Sequence, residues 1–455
     1  MTQRDSFAYP LRAAPLFAGL ALALGLDGPA RGAPDPNPPA IVVANCHDSG
    51  AGSLRAAVLV ASEGETVDLS QLSCSSITLS SGEIDVDQDD LFITGPGADA
   101  LAINGGSNPT YYNRIFRHLG SGMLSIEGLT IADGTQAIDD TAEGGCLFSN
   151  GDIQLSGTVV EGCAALAGGP GDSKGGAIFA HGEVSLLQSV VTGSTALSLL
   201  NQANGGAIYS GSLNAKYSTI SNSTAQGGPY YGSGGGFYWG GGGDVYLLAT
   251  TVSGNRSSFD YGGLAVRSIA SGHTATIINS TISANSAAVI GGGAVFQIPV
   301  SISNSTIAFN SDGEVNSGAG LSINAAVTAT LQSTIVAMNL AGGELDDLEV
   351  FTGGTIAGAK NLIVASAATL PADTIRDCPN LTPLAHNGGP TRTNSLQLGS
   401  PAIDTGSNTV PELNDQRGDG FARVVGPDAD IGAFERQGNG NGFIFAGDFE
   451  NPRCP

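Results

Sequence analysis

The chain has 455 residues, and its 17 Lys plus Arg stand against 41 Asp plus Glu, a formal charge of −24. Such an acidic balance speaks against nucleic acid and anionic membrane surfaces as partners, because nothing would draw a phosphate backbone in. It suits a strand-rich surface kept soluble by like charge.

Residues 1–33 read as a Sec-type signal peptide. Arg4 and Arg12 precede an apolar run over 13–24, and Gly28, Ala30, Gly32 and Ala33 offer small residues for cleavage. The run is too short to span a bilayer, and no second apolar stretch follows. The mature chain is therefore expected to be secreted or held at the cell surface, with no transmembrane segment. Cys46, Cys74, Cys146, Cys163, Cys378 and Cys454 agree with export. Nearest-neighbour pairing (46 with 74, 146 with 163, 378 with 454) is the simplest arrangement.

Residues 34–75 carry the phrase Gly52-Ser53-Leu54-Arg55-Ala56-Ala57-Val58, with Ser53 as N-cap and apolar residues at 54, 57, 58 and 61. This predicts a short amphipathic helix. The segment resembles the Ser-Leu-Arg-bearing amino-terminal modules of bacterial surface β-helices and is assigned as an amino-terminal cap. Residues 76–140 follow as less regular strand and turn units.

From 144 to 339 a short phrase recurs: Gly144-Gly145-Cys146-Leu147-Phe148, Gly175-Gly176-Ala177-Ile178-Phe179, Gly205-Gly206-Ala207-Ile208-Tyr209, Gly235-Gly236-Phe237-Tyr238-Trp239, Gly262-Gly263-Leu264-Ala265-Val266, Gly292-Gly293-Ala294-Val295-Phe296 and Gly318-Ala319-Gly320-Leu321. Second glycines lie 27 to 31 residues apart, the signature of a repeated supersecondary unit. Each period holds short runs rich in Val, Ile, Thr and Tyr and no long helical pattern. One period thus closes one rung of a parallel β-helix, and Gly176, Gly206, Gly263 and Gly293 are expected in one file. The Ser-Thr-Ile phrases at 218, 280, 305 and 333, with Thr250-Thr251-Val252, lead to Asn222, Asn285, Asn310, Asn339 and Asn255. These asparagines read as a ladder along the axis.

The Gly-Gly-Ala-Ile and Ser-Thr-Ile phrases resemble the repeats of the polymorphic outer-membrane proteins and, more widely, the pectin-lyase-like right-handed β-helices. The resemblance spans about residues 90–365 and implies an all-β, single-stranded right-handed parallel β-helix, assigned to 76–365 and preceded by the helical amino-terminal cap read above. Beyond it, Leu384-Ala385-His386-Asn387-Gly388-Gly389-Pro390, Gly399-Ser400-Pro401-Ala402-Ile403-Asp404, Asp415-Gln416-Arg417-Gly418 and Asp430-Ile431-Gly432-Ala433-Phe434-Glu435 resemble a choice-of-anchor Q domain, assigned to 366–436. Here Arg417, Arg423, Asp415, Asp430 and Glu435 are expected to form a charge network closing the other end of the solenoid. Residues 437–455 are a glycine-rich linker and a tail, Phe443-Ile444-Phe445-Ala446-Gly447-Asp448-Phe449, similar to tails on exported proteins of Gram-negative bacteria.

Sequence signs of chemistry are sparse. The five histidines are scattered and no Cys-x-x-Cys occurs, so no zinc site or cofactor is expected; weak calcium binding by the acidic surface stays open. The phrases of the polygalacturonases and pectate lyases are missing. One local concentration remains: seven of the nine tyrosines outside the signal peptide and the single tryptophan fall within 209–261. Tyr230, Tyr231, Tyr238, Trp239, Tyr246, Tyr261 and Arg267 are accordingly the candidate ligand-binding residues, suited to a polysaccharide or cell-surface glycan. The third residue after each second glycine (Phe148, Phe179, Tyr209, Trp239, Val266, Phe296 and Ile323) reads equally well as an internal stack. The sequence thus points to an exported adhesin-like binding protein. The alternative is a polysaccharide lyase or glycoside hydrolase on the same fold, which would need Lys174, His181, Tyr209 or Arg267 to converge with acids.

Overall fold

The computed structural model describes residues 40–437, apart from 107–112, 230, 268–271, 325 and 352. The expected signal peptide, the tail, Tyr230 and Cys454 lie outside the described residues. The chain winds as a parallel β-solenoid, and an 11-stranded sheet running from Ser76–Thr78 to Leu362–Ile363 supplies one strand to each turn. A second, 20-stranded sheet holds two ladders. One runs from Ile41–Val42 to Thr355–Ala359 and the other, the glycine ladder, from Ile84–Val86 to Leu348–Val350. The long strands Ile178–Leu187 and Ile208–Lys216 belong to both.

Alternation in each strand puts every second side chain inside. In one turn Ile178, Ala180, Val184, Leu186 and Val191 are all at most 1% exposed. Burying each large one stabilises the stack by about 1.5–3 kcal/mol.

The glycine pairs have two separate causes. Gly175 turns the corner with φ of 64°, where a side chain is strained. At Gly176 a Cβ would lie under 3.0 Å from the Gly206 carbonyl of the next turn, so only glycine lets the turns meet. That contact repeats from Gly206 to Gly235, from Gly235 to Gly262 and from Gly262 to Gly292. Gly176 and Gly206 are therefore in file with Gly235, Gly262 and Gly292. The expectation that Gly263 and Gly293 share that file is corrected: they occupy the next one, after Ala177, Ala207 and Gly236.

An internal polar ladder explains the slip. The Asn255 side-chain amide donates to Asn285 Oδ1 (3.0 Å), Asn285 to Asn310 (3.0 Å), Asn310 to Asn339 (2.9 Å) and Asn339 to Asp347 Oδ1 (2.9 Å). Each asparagine also donates to a backbone carbonyl, as Asn310 does to Ile282 O at 3.0 Å. A Cβ on Gly236, Gly263, Gly293 or Gly320 would run into these amides. Where the ladder position is the small Ser194 or Ser223, the facing residue is Ala177 or Ala207, and where it is Cys163 a disulfide joins it to Cys146. A glycine therefore follows the close-approach position wherever an asparagine holds the ladder position.

Two further alignments are corrected. Asn222 is exposed at a left-handed corner (φ 53°), and Ser223 holds the ladder position, its N–H donating to Asn255 Oδ1 at 3.1 Å. In the last phrase Thr334 replaces Ser333 as the aligned residue, since Thr306 pairs with Ile335. A second ladder at that corner runs from backbone N–H to hydroxyl: Ser189 to Ser218 (3.1 Å), Thr250 to Ser280 (3.1 Å) and Ser280 to Ser305 (3.1 Å).

At the amino-terminal end the helix Leu54–Val60, N-capped by Ser53, lies over the open edge of Ile84–Val86. Arg55 donates to Gly82 O and Glu83 O (both 2.6 Å), and Gln88 returns bonds to Val58 O (3.1 Å) and Ala61 O (2.6 Å). Disulfides join Cys46 to Cys74 and Cys146 to Cys163. The expected third pair, Cys378 with Cys454, has a member outside the described residues.

The carboxy-terminal module does not sit where the sequence reading put it. The last turn is closed by 364–376, where Ile363 N–H donates to Ile375 O and Asp347 N–H to Ala365 O (2.9 Å each), with Ala368 and Leu370 against the core. The rest runs back along the side of the 11-stranded sheet. Thr251 Oγ1 donates to Arg392 O (2.7 Å), Thr281 Oγ1 to Gln416 Oε1 (2.5 Å), and Ala433 N–H to Thr306 Oγ1 (3.0 Å). A second core, with Ile335, Met338, Leu381, Leu396 and Ile431, lies beneath it. The outward threonines of these later strands supplied the seam; Val159 and Val190 in the earlier strands stay half-buried.

The expected charges do meet inside this module. Arg417 grips Asp415 (2.6 Å) between the rings of Phe421 and Phe434, at 4.0 and 3.9 Å. Arg423, fully buried, donates to the Gly432 and Asp430 carbonyls, and Glu435 accepts from Val425 and Asp430 N–H.

The ladder makes a direct stability prediction. Asn310→Ala removes bonds to Asn285, Asn339 and Ile282 and leaves buried donors without partners, a loss of about 2–4 kcal/mol. Asn222→Ala should cost less than about 1 kcal/mol. Urea midpoints of the two variants check it.

Candidate functional site

The outward side of the glycine ladder carries one file of side chains: Asp85, Arg117, Phe148, Phe179, Tyr209, Tyr238, Ala265, Val295, Ser322 and Glu349. Parallel pairing spaces the rings by one strand separation, so they stack. Centroids of Phe148 and Phe179 are 5.5 Å apart, of Phe179 and Tyr209 5.3 Å, and of Tyr209 and Tyr238 5.3 Å. Arg114 covers the Phe148 end at 5.0 Å, and His181 meets Phe179 edge-on at 4.9 Å. Burial pushes the Tyr209 phenol up to about 12, with nearby Tyr238 and Glu143 adding to it.

The expected stack of third residues mixed two files. Trp239 pairs with Ser210, not Tyr209, and points inward with Val266, Phe296 and Ile323. It is 1% exposed, its indole N–H donates to Gly243 O (3.0 Å), and it is corrected from ligand platform to core residue. Since the outer rings cover each other's faces, they offer a ligand mainly their edges.

A side wall rises beside this file. Before each glycine pair the chain runs out and back, giving a nine-stranded sheet and a four-stranded sheet of Ala142–Glu143, Ser173–Lys174, Ala203–Asn204 and Gly232–Ser233. Glu143, Lys174, Asn204, Ser233 and Asp260 form the wall's polar file. Lys174 pairs with Glu143 at 3.2 Å, and its ammonium is 5.8 Å from the Tyr209 ring. Wall and ladder thus make a corner lined by charge on one side and aromatic edges on the other.

The aromatic stack ends at Tyr238, and there the corner changes character. Tyr261 takes the left-handed position that glycine holds in neighbouring turns, with φ of 60°, a strained choice for a bulky residue. It covers Ala265 and Val295, with Tyr238 and Ile290 packed against them, and Arg267 lies 5.0 Å above its ring. Three buried polar atoms here have no hydrogen-bond partner: Ser233 Oγ, Asp260 Oδ1 and Arg267 Nε. Burial pushes the Asp260 carboxyl up to about 6, against the opposing pull of Arg267, and Asp312 adds to the rise. Asp312 itself is raised by burial while accepting from Ser317 Oγ (2.7 Å) and Gly291 N–H (2.7 Å).

The sequence candidates therefore separate. Tyr238, Tyr261 and Arg267 meet at one place, joined by Asp260 and Ser233, which the pattern of tyrosines does not single out. Tyr231 is 47% exposed on the wall. Tyr246 stands on the other ladder, with Lys216 at 5.5 Å, and is not part of this corner. Lys174 and His181 flank the aromatic stack that contains Tyr209, but Arg267 is at its far end. Among the described residues no three His, Cys, Asp or Glu side chains are grouped to hold a metal ion, and no helix is long and apolar enough to cross a membrane.

No family model matches the chain, and no curated protein is similar to it at a significant level. Among solved structures, the crystal structure of pectate lyase Pel9A aligns over 85% of this chain and 91% of that one, at 12% identity and a TM-score of 0.48. So distant a likeness carries no argument about activity.

The raised acids set a pH dependence. Asp260 and Asp347 are pushed up to about 6 and Glu435 to about 7, burial being the main cause in each. The folded state holds these protons more tightly than the unfolded one, so their contribution is complete below the ordinary carboxylate range. It is lost as pH rises through 6 to 7. Asp260→Asn should flatten part of the decline in thermal midpoint between pH 4 and 7, measured by circular dichroism.

Proposed function

We propose that this protein is an exported or cell-surface solenoid that binds a glycan in the corner where wall and glycine ladder meet, around Tyr238, Tyr261, Asp260 and Arg267. The observation that carries the reading is the group of unpaired buried atoms on Ser233, Asp260 and Arg267 beside the strained Tyr261. A sugar presents donors and acceptors together, and so suits a turn in which Ser233, Asp260 and Arg267 each keep one polar atom without a protein partner. Tyr238 adds an aromatic flank of the kind that favours carbohydrate. The two disulfides support an oxidising compartment.

A second reading, a polysaccharide lyase or glycoside hydrolase, rests on Asp260 alone. A carboxyl with a pKa of about 6 is poised for proton transfer near neutral pH.

Binding to a panel of acidic and neutral polysaccharides separates these readings. Arg267→Ala and Tyr238→Ala are expected to weaken the best ligand at least about tenfold, a loss of about 1.4 kcal/mol. Tyr246→Ala, on another face, should leave binding unchanged. Equal affinity in all variants would remove the corner from consideration. Turnover by the wild type that disappears in Asp260→Asn would replace the binding reading with the enzymatic one.

A further inference from the structure

A cavity of about 210 Å³ lies at the seam between the solenoid and the carboxy-terminal module, away from the glycan corner. Tyr217, Leu248, Ala249 and Asn279 line it from the solenoid, and Pro411 to Asp415 with Gly418 from the module. Asn279 is 2% exposed, and its amide nitrogen donates to Asn414 O at 2.9 Å. That bond fixes which way the amide faces, because a carbonyl oxygen can pair only with the NH₂ side. Asn279 Oδ1 is then left buried with no donor.

The cavity also has a free negative charge. Among the described residues Glu412 makes hydrogen bonds only through its backbone, to Val410 and Asn408, and no ion pair engages its carboxylate. After burial, Glu412 is the largest contributor to the raised phenols of Tyr217 and Tyr246. Asp415, by contrast, is held by Arg417 at 2.6 Å.

We propose that this seam cavity binds an alkylammonium group, from a small amine or from a lysine side chain of a partner. An ammonium supplies donors for Asn279 Oδ1 and the Glu412 carboxylate, and its charge favours the adjacent Tyr217 ring. Leu248, Pro411 and Leu413 give an alkyl stem an apolar path out. A calcium ion fits less well, since it asks for about six to eight oxygen ligands and Leu248, Ala249, Pro411 and Leu413 of the lining bring no side-chain oxygen.

The test is calorimetric titration of the full chain with n-butylammonium, n-butanol, a lysine-containing tetrapeptide capped at both ends, and calcium chloride. Binding of n-butylammonium but not n-butanol is expected, weakened at least tenfold in Glu412→Gln. The thermal midpoint of that variant should match wild type, because among the described residues the carboxylate makes no hydrogen bond or ion pair. Tighter binding of the peptide than of the free amine would assign the source to a partner's lysine, and the reverse to a small amine. No binding of either amine, equal binding by Glu412→Gln, or displacement by calcium would overturn the proposal.

Discussion

Close approach of one turn's backbone to the next governs this molecule. At Gly176, Gly206, Gly235 and Gly262 the carbonyl of the following turn occupies the place of a side chain. The parallel hydrogen bonds of the ladders hold only at that separation, and every lateral feature inherits it. Aromatic rings 5.3 to 5.5 Å apart, asparagine amides bonded in series, and the polar file of the wall are the same repeat distance expressed in different side chains.

A structure built this way has open ends and long flanks, and the chain treats the two differently. The helix at 54–60 and the return at 364–376 satisfy the ends. The module beyond 376 covers a flank, where Thr251, Thr281 and Thr306 present hydroxyls to it. At the corner of Asp260 and Arg267, buried polar atoms of Ser233, Asp260 and Arg267 stay unpaired, and the strained Tyr261 marks the same turn.

Much of the fold was legible because glycine, asparagine and small apolar residues recur at a fixed period. The repeat told of stacked turns but not of register. Three glycines in a row at 234–236 serve as corner, close approach and room for Asn255, and any two of them look like the pair at 175–176. One misplaced residue inverts the faces of a strand, which is how Trp239 came to be grouped with Phe148. Asn222 was misplaced for a related reason: a left-handed corner and a ladder position both favour asparagine. The site was less legible still. Tyrosine density located the region, but pairing between Ser233 and Asp260, far apart in sequence, arises only once the wall is folded.

The account stands on contact between turns at the second glycine, and replacing Gly206 by alanine tests it most directly. A Cβ there would meet Gly235 O and the Thr224 backbone, whereas at Gly168 it would meet chiefly the Asp139 carboxylate, at 3.0 Å. Gly206→Ala should lower unfolding free energy by at least about 2 kcal/mol, and Gly168→Ala by less than about 1 kcal/mol. Equal urea midpoints for the two variants would mean that the turns do not meet where described.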